Sequence, residues 1–180
     1  MVEGPGEPHD AELARLSRRL RAELRAEAEA YEQLAATDLL RGRRLADVAA
    51  ELVSRGDVVA LGFAPWTFTG TVIYAAGDLA TLRVRGGEVD VNLGVPLYLR
   101  VVERVRAGGL DRGRGPQTFL ARLAEHEAAG GAVELGSRAL GEQLHGVLRA
   151  VARDHVVFVD RQAQTWYLAT AAIDYVAVRR

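Results

Sequence analysis

The periodicity of apolar residues changes at Gly56, and this change constrains the fold more than any other feature of the sequence. Before Gly56, leucines recur at intervals of three, four and seven residues, the spacing of one face of an α-helix. After Gly56, segments such as Trp66-Thr-Phe-Thr-Gly-Thr-Val72 alternate apolar and polar residues, as half-buried strands do. The pattern predicts an α+β protein in which helices precede antiparallel β-structure.

Five segments follow from the periodicity and from the positions of Gly and Pro. Asp10 is a predicted N-cap, Thr37-Asp38 a predicted helix break, and Gly56 a predicted helix end. The segments are a disordered lead-in (1–9), an amphipathic helix (10–36), a helix with a first β-unit (37–104), a Gly- and Arg-rich linker (105–116), and a helix with a second β-unit (117–180).

The first helix has one apolar stripe, with Arg and Glu on its other sides. The stripe consists of Leu13, Leu16, Leu20, Leu24, Tyr31 and Leu34. Because an amphipathic helix normally buries such a stripe, we expect Leu13, Leu16 and Leu20 to be interface residues. Either the β-units or a second copy of the helix would cover them.

The second β-unit resembles the first when Gly70 is aligned with Gly146. Gly70 and Asp78 are eight residues apart, and Gly146 and Asp154 repeat this spacing. Apolar strand positions coincide in the same alignment, as in Phe68 with Leu144, Val72 with Leu148, Leu82 with Phe158, Leu97 with Ile173, and Val102 with Val178. The agreement predicts an internal duplication.

The unit Phe68-Thr-Gly70-Thr-Val-Ile-Tyr-Ala-Ala-Gly-Asp78-Leu, followed by a strand, a Gly-Gly turn and two further strands, resembles the Sm-like fold. Leu144-His-Gly146-Val-Leu-Arg-Ala-Val-Ala-Arg-Asp154-His-Val is similar to it. The resemblance implies two small antiparallel, SH3-like β-barrels, each preceded by a helix. RNA-binding members carry Asn four residues after the Asp, where this chain has Leu82 and Phe158, so the resemblance implies the fold and does not by itself imply RNA binding.

No catalytic or metal-binding constellation stands out in the sequence. The chain has no cysteine, which excludes disulfides, thiolate ligands and cysteine nucleophiles. Its four histidines lack metal-type spacing, and no phosphate-binding glycine motif occurs. We therefore expect no catalytic residues, no metal and no cofactor.

The most suggestive charged segment is rich in arginine, and it comprises Arg100, Arg104, Arg106, Arg112 and Arg114. Guanidinium groups on a Gly-rich segment can bind phosphates or a partner's carboxylates. A solvated linker is the other interpretation, because all 23 basic residues are arginine and the net charge is only −1, a pattern typical of GC-rich coding sequence.

Val157 and Val159 indicate a second interface. In the alignment of the two units they replace Thr81 and Arg83, which we expect to point outward beside the inward-facing Ala80 and Leu82. A strand that is apolar on both faces is normally covered on both, so we expect the outer face of this strand to pack against a helix, the other barrel or a partner chain.

These expectations favour a non-catalytic interaction or scaffold module. Its partner would be another protein or a second copy of the chain. The alternatives are a nucleic-acid-associated regulator that uses the arginine segment and an enzyme with an unrecognised site. The N-terminus lacks a basic start and an apolar stretch, and no run approaches about 18 apolar residues, so we expect a cytoplasmic protein without a membrane partner.

Overall fold

The computed structural model describes residues 7–105, 108–110 and 113–179 of the chain. It contains two compact units, one formed by a long N-terminal helix and the other beginning at Arg44. All the described strands belong to the second unit.

The N-terminal unit is helix α1 (Glu7–Gly42), which is rich in the good helix formers Ala, Leu, Glu and Arg. The helix continues through the break predicted at Thr37-Asp38. Thr37 is accommodated because its hydroxyl donates a hydrogen bond to the carbonyl of Gln33 at 2.8 Å. Residues 7–9 of the predicted lead-in belong to α1, and residues 1–6 lie outside the described part of the chain.

Helix α2 (Leu45–Arg55) opens the second unit and confirms the helix predicted before Gly56. The Asp47 carboxylate accepts a hydrogen bond from the Arg44 amide at 2.8 Å and so caps its N-terminus. At its other end Gly56 takes a left-handed conformation (φ 70°), which ends the helix. Ala49, Leu52 and Val53 form its buried face.

Two sets of five strands follow, separated by a third helix. The first set is β1 (Val58–Phe63), β2 (Trp66–Ala76), β3 (Leu79–Val84), β4 (Gly87–Asn92) and β5 (Tyr98–Glu103). Then come α3 (Phe119–Ala129) and the second set, β6 (Ala132–Ser137), β7 (Glu142–Val151), β8 (His155–Asp160), β9 (Thr165–Ala169) and β10 (Tyr175–Arg179). We call α2 with β1–β5 the first half and α3 with β6–β10 the second half.

The described strands form one antiparallel sheet with the order β5-β1-β2-β3-β4-β10-β6-β7-β8-β9. The α+β class and the N-terminal helix are as predicted. However, the two sets of strands are not separate sheets, because β4 pairs with β10. Within each half the order is the same, with the last strand of the half beside its first.

The linker packs on α2 before the chain enters α3. The amide of Leu110 donates to the Val53 carbonyl at 2.9 Å, and a Cβ on Gly109 would lie 1.6 Å from the Ser54 carbonyl oxygen. Helix α3 begins after the cap Thr118, two residues later than predicted, and the Asp78 carboxylate accepts a hydrogen bond from the Phe119 amide at 2.7 Å. This bond ties the second half's helix to the first half's sheet.

Two hydrophobic clusters share residues between the halves. The first cluster, under α2 and β1–β4, includes Tyr175 and Ala177 from β10. The second, under α3 and β6–β8, includes Leu79 from β3. Because each cluster takes side chains from both halves, the two halves share their cores within one compact unit.

Candidate interaction edges of the sheet

The β4–β10 ladder joins the two halves of the sheet. Five residue pairs form it, from Tyr175 opposite Val91 to Arg179 opposite Gly87. The amide of Asn92 extends the ladder by donating to the Asp174 carbonyl at 2.9 Å. In this ladder the last strand of the second half extends the sheet of the first half.

Tyr175 anchors this junction in an aromatic pocket of the first half. Its ring centroid lies 5.9, 5.7 and 4.7 Å from those of Phe63, Trp66 and Phe68, respectively. The side chain is fully buried, and its hydroxyl donates to the Glu134 carboxylate at 2.7 Å. The pocket therefore binds the apolar ring while the buried Glu134 carboxylate accepts a hydrogen bond from the hydroxyl.

An ion pair beside the junction holds the loops of both halves. The Arg138 guanidinium donates to the buried Asp174 carboxylate at 2.9 Å and to the Pro96 carbonyl at 2.7 Å. It also lies 5.7 Å from the Phe63 ring centroid, within cation–π range. Arg138 thus contacts the aromatic pocket, the loop before β5 and the loop before β10.

The outermost strands, β5 and β9, are each paired on one side only. Both expose large apolar side chains: Tyr98 is 51% exposed and Val102 53% on β5, and Tyr167 is 73% exposed on β9. A strand edge that combines unpaired main-chain groups with apolar side chains is a template for pairing with another chain. We refer to β5 and β9 as the two free edges.

The hydrogen bonds of β9 show which of its main-chain groups face outward. Asp160 donates from its amide to the Gln164 carbonyl at 3.0 Å, and the Thr170 amide donates to the Asp154 carbonyl at 2.8 Å. In an antiparallel ladder alternate residues bond to the same neighbour. The even-numbered residues therefore face β8, and Thr165, Tyr167 and Ala169 direct their amides and carbonyls toward the free side.

Asp160 orders the turn that leads into β9. Its carboxylate accepts hydrogen bonds from the amides of Gln162 (2.9 Å) and Gln164 (2.8 Å) and from the Trp166 indole (2.7 Å). The indole bond, assisted by the two amides, holds the pKa of Asp160 below its ordinary value of 3.8. The ionised carboxylate is therefore the form that stabilises this turn.

Asp160→Asn should lower the Tm by a few degrees near neutral pH. A group with a depressed folded-state pKa stabilises the protein above its unfolded-state pKa, and the stabilisation is lost as the pH falls through the folded-state pKa. The difference in Tm between wild type and variant should therefore shrink below about pH 4. Thermal melts from pH 7 to about pH 2.5, with Glu142→Gln as an exposed control, check this. A difference that is independent of pH would contradict the assignment.

A charged cleft lies where α3 crosses β3 and β4. Asp90 accepts a hydrogen bond from the Thr81 hydroxyl at 2.5 Å, and His126 Nε2 lies 2.8 Å from its other oxygen. The Arg122 Nε atom is 3.3 Å from the same carboxylate. The expectation that Thr81 points to water is wrong, because Thr81 and Asp90 are buried beneath α3. These polar side chains contact one another where α3 packs on β3 and β4, and Arg122 Nε makes an ion pair with Asp90 without a hydrogen bond.

The residues predicted as binding sites are not brought together. Arg100 is exposed on β5, Arg104 and Arg114 are exposed beyond it, and Arg106 and Arg112 lie outside the described residues. Leu13, Leu16 and Leu20 are exposed on α1. Val157 and Val159 are half-buried on β8, so the expectation that a helix, barrel or partner covers their outer face remains a prediction.

The free edges were not predicted from the sequence, although it contains one signal for them. Tyr98 pairs with Gly62 on β1, and Tyr175 pairs with Gly136 on β6. A Cβ on either glycine would lie within 2.4 Å of the facing ring. A Gly–Tyr pair thus occurs in each half, with the tyrosine buried at the junction in one and exposed at an edge in the other.

Comparison with models of protein families and with curated protein sequences gave no match. Within the described residues, no helix is both long and apolar enough to span a membrane. In the same part of the chain, no group of three or more His, Asp or Glu side chains is placed to hold a metal ion.

Proposed function

We propose that this protein is a non-catalytic interaction module of two Sm-like units that assembles head to tail with copies of itself through the two free edges. The observation that carries the proposal is the β4–β10 ladder. There, the last strand of one half extends the sheet of the other half, whereas the equivalent strands β9 and β5 have no such neighbour among the described strands.

Equivalent strand pairing supports the idea that the halves are copies of one design. Gly70 pairs with Val84, and Gly146 pairs with Asp160. The alignment that places Gly70 with Gly146 also places Val84 with Asp160, so the pairing partners correspond as well. Each long strand has a register shift at the same place, after Val72 in one half and after Leu148 in the other. In the last strands the alignment slips by one position, since Tyr98 corresponds to Tyr175, so Val101 and not Val102 corresponds to Val178.

The same correspondence defines the register expected between two chains. In the alignment of the two halves, Val157 on β8 is the counterpart of Thr81 on β3. Thr81 pairs with Asp90, and Val157 pairs with Tyr167, so Tyr167 on β9 is the equivalent of Asp90 on β4. By the tyrosine alignment of the last strands, Leu99 on β5 is the equivalent of Val176 on β10.

Asp90 lies opposite Val176 on the internal ladder, and Tyr167 of one chain is therefore expected opposite Leu99 of the next. The exposed Tyr167 would then be covered by the apolar edge of β5, in a contact between two different surfaces. Such a contact repeats from chain to chain and gives a closed ring or a filament.

Tyr167→Pro tests this contact. Proline at this position removes an outward-facing amide and leaves the β8 ladder intact, because Tyr167 does not bond to β8 through its amide. The matched control Tyr167→Thr removes the ring but keeps the amide and a strand-forming residue. We expect the dissociation constant of the edge contact to rise by about a hundredfold for proline and about tenfold for threonine.

Sedimentation velocity over a range of protein concentrations measures the effect, and circular dichroism confirms that both variants remain folded. The proposal requires that the wild type forms species larger than those of Tyr167→Pro. A wild type that stays monomeric at every concentration contradicts it. An assembly that withstands the proline would place the contact elsewhere.

A further inference from the structure

Helix α1 carries an apolar stripe whose side chains are exposed. Leu13, Leu16, Leu20, Leu24, Tyr31 and Leu34 are each more than half exposed. At 100° per residue these six side chains fall within a band about 80° wide, which is the width of a helix–helix contact. A band of this size on a helix is normally covered by another element.

The charges of α1 are segregated along its axis. Residues 15–25 contain five arginines and one glutamate, whereas residues 26–38 contain four acidic residues and no basic one. All of these side chains are exposed. Local ion pairs such as Arg19–Glu23 (3.0 Å) are fully on the surface and contribute little. Over residues 15–38 the helix therefore has a basic half (15–25) and an acidic half (26–38), and its apolar band is interrupted where Glu27 falls between Leu16 and Leu20 in angle.

We propose that α1 pairs with α1 of a second copy of the chain in antiparallel orientation. A parallel pair would set the basic half against the basic half and the acidic half against the acidic half, which is repulsive. An antiparallel pair sets each basic half against the partner's acidic half. This contact is separate from the free edges and does not depend on them.

The apolar band fits the same orientation. Consider two antiparallel copies of α1 that cross with Leu24 of one copy beside Leu24 of the other. Two residues, one from each copy, then lie at the same height along the pair, to within about one residue's rise of 1.5 Å, when their numbers sum to 47 or 48. The resulting neighbours are Leu24 with its own copy, Leu20 with Glu27 and Ala28, Leu16 with Tyr31, and Leu13 with Leu34. Apolar residues thus face apolar residues over residues 13–34 except at Leu20, which also meets Glu27.

Cysteine cross-linking tests the orientation, since the chain has no cysteine of its own. Leu13→Cys and Leu34→Cys proteins carrying tags of different mass are mixed under reducing conditions and then oxidised. A disulfide needs Cα atoms about 4.4–6.8 Å apart, which facing positions of paired helices meet. We expect the mixture to give at least about tenfold more cross-linked dimer than either protein alone.

The matched control pair is Arg18→Cys with Glu29→Cys. These positions also sum to 47, but they lie on the opposite side of α1 and should not cross-link. Equal or greater cross-linking of Leu13→Cys with itself would mean a parallel pair and would overturn the proposal. So would a mixture that gives no cross-link while its thiols remain accessible.

A charge-reversal variant supplies a second measurement. Glu27→Arg, Glu29→Arg and Glu32→Arg together make the acidic half net basic and should reduce the Leu13–Leu34 cross-link by about tenfold at low salt. The cross-link should persist in the Tyr167→Pro background. Loss of the cross-link in that background would show that the helix pair depends on the free edges, which contradicts the separate contact proposed here.

Discussion

Replacement of Tyr175 by alanine should lower the free energy of unfolding by about 4 kcal/mol. The side chain is fully buried, and its ring lies within 6 Å of three other aromatic centroids. Alanine would leave a cavity in the first half's core. It would also leave the buried Glu134 carboxylate without the hydroxyl that donates to it, which adds a desolvation cost.

Two variants separate the contributions of ring and hydroxyl at this position. Tyr175→Phe keeps the ring and removes the hydroxyl, so it should cost about 1–2 kcal/mol. Tyr98→Ala removes the equivalent tyrosine at the free edge, where the side chain is exposed, and should change the stability by less than about 1 kcal/mol.

Urea unfolding at low protein concentration measures all three variants with the least contribution from assembly. If Tyr175→Ala and Tyr98→Ala destabilised the chain equally, Tyr175 would not anchor the junction. A loss for Tyr175→Ala no larger than that for Tyr175→Phe would show that the aromatic pocket contributes little.

Local patterns account for much of the fold. Helix α2 was predictable from the apolar spacing before Gly56. Its end was predictable because glycine is the residue that adopts the left-handed conformation most readily. Alternating residues likewise predicted β2 and β4, since side chains on a strand point to opposite faces. The helix break at Thr37 failed because a single polar residue can bond back to its own helix and need not end it.

The junction could not be predicted because it depends on distant residues. Pairing of β4 with β10 joins Val91 to Tyr175, and nothing in either strand alone specifies that partner. The sequence offered two complete β-units, and two separate sheets or one continuous sheet satisfy the same alternating pattern. The choice rests on the aromatic pocket, whose members come from β1, β2 and β10.

The buried charged cleft has a similar cause. Thr81 and Asp90 lie on the polar face of their strands, which predicts exposure when the strands are considered alone. Arg122 and His126 approach them from α3, which comes after the whole first set of strands in the chain. Polar residues on a strand face become buried wherever another element supplies matching charges, and this information is absent from the strand's own sequence.

Substitution of Gly70 or Gly146 by alanine should be as damaging as loss of Tyr175. A Cβ on Gly70 would lie 2.1 Å from the Arg83 carbonyl oxygen, and one on Gly146 would lie 2.0 Å from the Val159 carbonyl oxygen. Both obstacles are main chain of the neighbouring strand, so no side chain can rotate away and the ladder itself must shift. Gly131→Ala is the matched control, because a Cβ there has no neighbour within 4 Å.

We expect each of these two glycine variants to lose about 3 kcal/mol or more, and the control to change by less than about 0.5 kcal/mol. Because both clashes are with the main chain of the strand that follows the long one, their costs should agree within about 1 kcal/mol if the halves share one design. Urea unfolding gives the free energies, and amide hydrogen exchange locates the strands that open. A large loss at Gly70 beside a tolerated alanine at Gly146 would mean that the two long strands differ in their packing, and the case for duplicated units would fail with it.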